Sequence, residues 1–152
     1  MPPIQDQYRD IMPEGYAGAV ANMRPRDFFS RTCEDTGITG FGLFVAKGTT
    51  DRTITTNLVG KTSVLAITVL DRGARQSADL TEEGFAQYDT ARLAARGSIW
   101  VETGVEVVAD EEAYVTPTNP GVVTNVATGN IRVGKFETST NAENLAILHV
   151  DL

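Results

Sequence analysis

From Phe41 onward, apolar and polar positions alternate in short runs, broken about every ten residues by Gly, Asn, Asp or Thr, which is the spacing of an all-β fold. The pattern predicts a compact β-sandwich or barrel of short antiparallel strands. Strands are expected near Gly42–Lys47, Arg52–Thr56, Ser63–Leu70, Thr90–Glu102, Val105–Val108, Ala113–Thr116, Val122–Asn125, Ile131–Phe136 and Leu145–Asp151. Between Asp71 and Asp89 lies a long excursion, in which "DLTEEG" reads as one helical turn with Asp79 as its cap and Glu82 in the third position.

The first 37 residues follow neither period. Pro2, Pro3, Pro13 and Pro25 oppose a long helix or a central strand. A short turn of helix is expected over Asp27–Cys33, with Gly37 just past it. The chain therefore divides into an extended N-terminal arm, residues 1–37, and a β domain, residues 38–152.

That arm is rich in groups that avoid water. Tyr16, Val20, Met23, Phe28 and Phe29 are large and apolar, and burying each such side chain contributes roughly 1.5–3 kcal/mol. Arg24 and Arg26, set by Pro25, suit carboxylates of a partner. The arm is thus expected to pack on other chains, and 36 extended residues reach roughly 120 Å. The other reading is a lid folded back over the domain's own sheet.

Within "ARLAARGSIWVET" the alternation puts Ala91, Leu93, Ala95, Gly97, Ile99 and Val101 on one side. Arg92, Arg96 and Trp100 then share the outward side, where Trp and Arg suit an oligomer interface. A bulge at Gly97 would reverse the parity of everything after it.

Composition narrows the function. The chain has 152 residues, 41% hydrophobic and 22% charged, with a net charge of −7. A chain of this size buries a core without metal or disulfide. From Gly97 to the end, Glu102, Glu106, Asp110, Glu111, Glu112, Glu137, Glu143 and Asp151 face only Arg132 and Lys135. Such a surface repels phosphate backbones, so nucleic acid is not expected as a partner. No apolar run approaches the ~20 residues of a membrane span, and Met1–Asp10 lacks a signal-like apolar core, so neither membrane nor export is expected.

Candidate chemistry is sparse. His149 is the single histidine and Cys33 the single cysteine, so no zinc spacing and no intrachain disulfide arise. No Gly-x-Ser-x-Gly elbow accompanies His149, which reads as structural. The carboxylates of "ADEEA" lack the EF-hand frame and read as a polar turn. A dUTPase-like hydrolase needs a catalytic Asp before Gly-Tyr, and the one Gly-Tyr, Gly15–Tyr16, follows Glu14 at the wrong end of the chain. Neither enzyme activity nor a cofactor or metal is expected.

The order of motifs resembles the structural cement, or capsid decoration, proteins of tailed bacteriophages. The resemblance rests on "GYAGAVANMRPRD", "FGLFVAKGT", "LAITVLDR", "YDTARLAARGSIWVET", "VVADEEAYVT" and "ENLAILHVDL". The chain departs from the family at Ala109–Glu112, where a Gly-Asp turn is usual. The resemblance implies a virion protein, made in the host cytoplasm, on the outer capsid surface. There it would cement adjacent major capsid protein subunits against internal DNA pressure, as a trimer or, alternatively, a dimer of itself. A carbohydrate- or host-surface-binding β module is the competing reading, which a line of exposed aromatics would favour.

Overall fold

The structure, a computed structural model, describes residues 15–37, 39–70 and 84–152. The expected helical turn in "DLTEEG" lies outside the described residues, as do residues 1–14 of the expected arm. Among the described residues there are nine strands: β1 (Asp27–Cys33), β2 (Phe44–Lys47), β3 (Thr53–Thr55), β4 (Ala66–Thr68), β5 (Thr90–Thr103), β6 (Glu112–Thr116), β7 (Asn119–Thr124), β8 (Ile131–Phe136) and β9 (Leu145–Asp151). The fold is all-β. Most neighbours are antiparallel, but β1–β3 and β5–β7 are parallel pairs, so the sheet is mixed.

The strand order is β1-β3-β2-β4-β5-β7-β6-β8-β9, with further pairings of β1 and β9 to β5. These two pairings close the sheet into two circuits. One runs β5-β1-β3-β2-β4 and the other β5-β7-β6-β8-β9, so the molecule is a pair of five-stranded barrels sharing one strand. β5 serves both because it is 14 residues long. Its first half pairs with β1 and β4, and its second half with β9 and β7.

Each barrel has its own filling. Cys33, Val45, Ile54, Ala66, Ala91 and Leu93, one or more from each strand of the first circuit, form a core with Phe85. Phe85 meets Phe41 edge to face at 5.5 Å. The second circuit is filled by Ile99, Val101, Ala113, Val115, Val123, Val133, Phe136, Ala146, Leu148 and Val150. The same core continues onto Phe44, Ala46, Ile67 and Ala94, on the other face of the first circuit. The barrels are therefore joined by packing as well as by a strand.

A bulge in β5 makes the double use possible. Asp27 faces Arg96 and Phe28 faces Ala94, leaving Ala95 without a partner on β1. One extra residue reverses the parity of a strand. Hence Ala91 and Leu93 fill the first core, whereas Ile99 and Val101 fill the second. The reversal lies at Ala95, two residues before the glycine where the sequence pointed.

β1 corrects the expected helical turn. Phe28 packs against the larger core and Phe29 against the smaller. A strand that half-buries an aromatic side chain on each face shows no alternation, which hid it from the pattern. Val105–Val108 is also corrected, since it is not a strand. The Val107 N–H donates to Thr140 Oγ1, and the Val108 N–H donates to Glu111 Oε2, in place of a ladder.

Two glycine sites permit the close packing. Gly18 and Gly42 both have positive φ, and a Cβ on either would lie under 3 Å from the other's backbone nitrogen. Gly134 (φ 155°) sits where β8 bulges against β6, and a Cβ there would meet the His149 carbonyl oxygen at 2.1 Å.

Candidate functional site

The described part of the leader, from Gly15 on, lies against its own domain. β5 has two edges, and β1 followed by β9 takes one of them along Thr90–Glu102. On the other edge β4 pairs only as far as Ala94 and β7 begins at Glu102. The gap between them would leave backbone groups of Ser98–Trp100 unpaired. The leader fills it. The Gly18 and Ala21 N–H groups donate to the Trp100 and Ser98 carbonyls, and the Trp100 N–H donates to the Ala19 carbonyl, all at 2.8–2.9 Å. The Gly18 carbonyl also accepts from the Leu70 N–H just beyond β4.

Trp100 does point to the outward side of β5, but its outer surface is taken. A Cβ on Gly15 would fall 2.4 Å from the indole Cε2, so the leader backbone runs against the ring. Trp100 is half-buried under its own leader, while Arg92 and Arg96 are exposed. The structure therefore separates the three residues grouped as one outward set. Arg92 precedes the bulge and stacks over Phe28 at 4.8 Å, with Arg26 at 5.2 Å from the same ring. Arg96 and Trp100 follow the bulge, on the opposite side.

Past the filled gap the leader is latched by Glu137, just beyond β8. This carboxylate accepts from Asn22 Nδ2 at 3.2 Å, from Arg24 and from the Ser98 hydroxyl at 2.7 Å. His149 Nδ1 lies 3.8 Å from it and makes no hydrogen bond among the described residues. Burial pushes the Glu137 carboxyl up, but the bonds from Ser98, Arg24 and Asn22 outweigh it, and the net displacement is downward. Arg24 was expected to seek a carboxylate of a partner; the one it finds belongs to its own chain. Glu137, Asn22 and Ser98 were not singled out in the sequence, because 113 residues separate Arg24 from Glu137.

The remaining leader residues divide by exposure. Val20 bridges to Ile99 and packs against the larger core. Tyr16 and Met23 face outward, 59% and 89% exposed. Of the two readings of this stretch, a contact with other chains and a lid on its own sheet, the described residues show that 15–33 pair with β5 and β3 of their own chain.

Among the described residues His149 and Cys33 do not converge on one site: His149 lies by Glu137, and Cys33 lies in the smaller core. Cys33 is buried in the smaller core, with Thr39 Oγ1 3.1 Å from its sulfur. Among the described residues no three His, Cys, Asp or Glu side chains are placed to hold a metal ion. In the acidic turn, Glu111 caps the Val108 N–H and accepts from Asn125, which pulls its carboxyl down.

No curated protein matches the chain. A family model described as structural cement protein (E217 gp24/Pam3 gp6) matches residues 4–151, nearly the full chain. The chain belongs to the structural cement protein family, and is a phage structural protein.

Proposed function

We propose that the protein binds the outer surface of the assembled capsid and bridges adjacent major capsid protein subunits, with the leader as part of the contact. One observation carries this reading beyond family membership. The leader is fixed by backbone hydrogen bonds and by Glu137, yet it presents Tyr16 and Met23 to solvent. Large apolar side chains held outward by a rigid backbone lose little further entropy on docking. Modest contacts of this kind, repeated over a lattice, add up to firm retention.

The family's role supports a structural, non-enzymatic part in the virion. Sugar binding has less support. Among the described residues only Tyr16 and Tyr88 are exposed aromatics, and they belong to separate segments.

The test is co-sedimentation with capsids lacking the protein. Tyr16→Ser with Met23→Ser is expected to lower capsid occupancy by about tenfold or more, as for loss of an interface anchor, with melting unchanged. Unchanged occupancy would remove the leader from the contact. Binding to an isolated polysaccharide instead of capsids would replace the proposal.

A further inference from the structure

Two surfaces of opposite character lie at opposite ends of β5. At its start, a groove of about 570 Å³ is lined by Ser30, Arg31, Thr32, Asp51, Arg52 and Thr90. A second, of about 370 Å³, is lined by Phe28, Phe29, Ser30, Thr90 and Arg92. They share Ser30 and Thr90 and so form one channel along β1. Its rims carry Arg31, Arg52 and Arg92, with Arg26 stacked on Phe28. Among the described residues none of these arginines has a carboxylate within 4 Å. Among the described residues Arg31 Nε is enclosed without a hydrogen bond, while its Nη1 donates to the Ser30 carbonyl and its guanidinium lies 4.9 Å from the Phe29 ring centroid. Asp51, an acid of the channel, is held by Lys47 at 2.5 Å.

Beyond the other end of β5 is the segment Val105–Asp110. Val105 and Val108 are 44% and 60% exposed, and Glu106 and Asp110 are exposed beside them. Neither acid has a cation within 4 Å among the described residues. The imbalance extends to each side. Described residues 15–96 carry eight Lys and Arg against five acids, a net of +3, and residues 97–152 carry two against eight, a net of −6. Fully extended, the thirteen residue steps of β5 span at most about 40 Å, and the two surfaces lie at opposite ends of that strand.

We propose that copies of this chain join head to tail, the Val105–Asp110 segment of one copy entering the Phe28–Arg92–Arg52 channel of the next. Acids meet unpaired arginines, and the valines meet Phe28 and Phe29. Such an interface uses two different patches, and repeated head to tail it closes into a ring or runs on as an open filament. Two copies laid antiparallel would instead satisfy both patches in a two-fold dimer and replace the head-to-tail arrangement. Capsid binding is a separate matter: the proposal concerns self-association and stands or falls without it.

Sedimentation velocity on the full chain, in low and then high salt, tests it. The wild type is expected to form a ring or filament that dissociates as salt rises. Arg52→Glu with Arg92→Glu, and separately Glu106→Lys with Asp110→Lys, are each expected to weaken self-association by about tenfold or more. Mixing the two variants restores opposite charges at both contacts and is expected to recover assemblies in which the variants alternate, which also shows both to be folded. A monomeric wild type, a two-fold dimer, self-association unaffected by the reversals, or a mixture that stays monomeric overturns the proposal. So does a wild type that is monomeric while the arginine variant loses capsid retention, which would assign the channel to an acidic capsid surface.

Discussion

Glu137 is a single carboxylate on which Asn22, Arg24 and Ser98 converge from elements far apart in the chain. Removing it leaves three donors without their acceptor. Glu137→Ala is expected to lower stability by about 1–3 kcal/mol, towards the lower end because the Arg24 side chain is half exposed and its ion pair is screened by water. Its carboxyl is displaced downward from the ordinary value of 4.5, and the sign of the pH effect follows. The stabilisation is present above the unfolded value and is lost as pH falls through the lower, folded one. Thermal melting of the wild type should therefore drop in mild acid by more than that of Glu137→Gln, and parallel acid profiles for the two would refute the latch. Trp100 has a related dependence. Because the leader backbone lies against its ring, Trp100→Ala is expected to destabilise the protein by about 2 kcal/mol or more, less than a fully buried Trp would. Protease sensitivity within residues 15–26 should rise with it, and a variant that melts like wild type would show that the ring supports nothing. At Gly134, where a Cβ would meet the His149 carbonyl oxygen at 2.1 Å, even Ala is expected to cost several kcal/mol through displaced backbone, read as a lowered melting temperature.

Among the elements, the strands that the pattern located best are β8 and β9. "LAILHVD" alternates between a buried and a half-exposed or exposed face, "IRVGKF" does so on either side of its bulge at Val133 and Gly134, and each strand is preceded by an Asn, Asn144 and Asn130. β1 was not legible, because Phe28 and Phe29 are half-buried in opposite directions and the local pattern has no period. Val105–Val108 misled for the converse reason. It has the composition of a strand, but its backbone is bound by the side chains of Thr140 and Glu111. The parity of β5 could be read up to Ala95, and the bulge there is a property of its pairing with β1, invisible in β5 alone. The same limit applies to the leader. Its apolar residues were evident, but the gap they cover exists only because β4 stops at Ala94 and β7 starts at Glu102. Deleting residues 2–26 is therefore expected to lower the melting temperature of the isolated protein as well as its capsid occupancy. Unchanged melting would return the leader to the role of a free arm.

For the whole molecule, two circuits share one strand and one continuous core, so neither barrel is complete without β5. A single cooperative unfolding transition is expected by calorimetry, with calorimetric and van't Hoff enthalpies equal; two resolved transitions would show that the barrels are independent. The shared strand also orders events during synthesis. Every strand of the first circuit lies before Thr103, so that barrel can close while the ribosome is still at work. The partners of the second half of β5 are made later, and β9 is the last strand of all. At roughly 5–20 residues per second the 49 residues after Thr103 take about 2–10 s. Throughout that interval Ile99 and Val101 have no barrel to fill. The leader residues Gly18–Ala21, translated before β5, are a partner already available to this half of the strand, and their pairing with Ser98 and Trp100 covers one edge of it while the later strands are made.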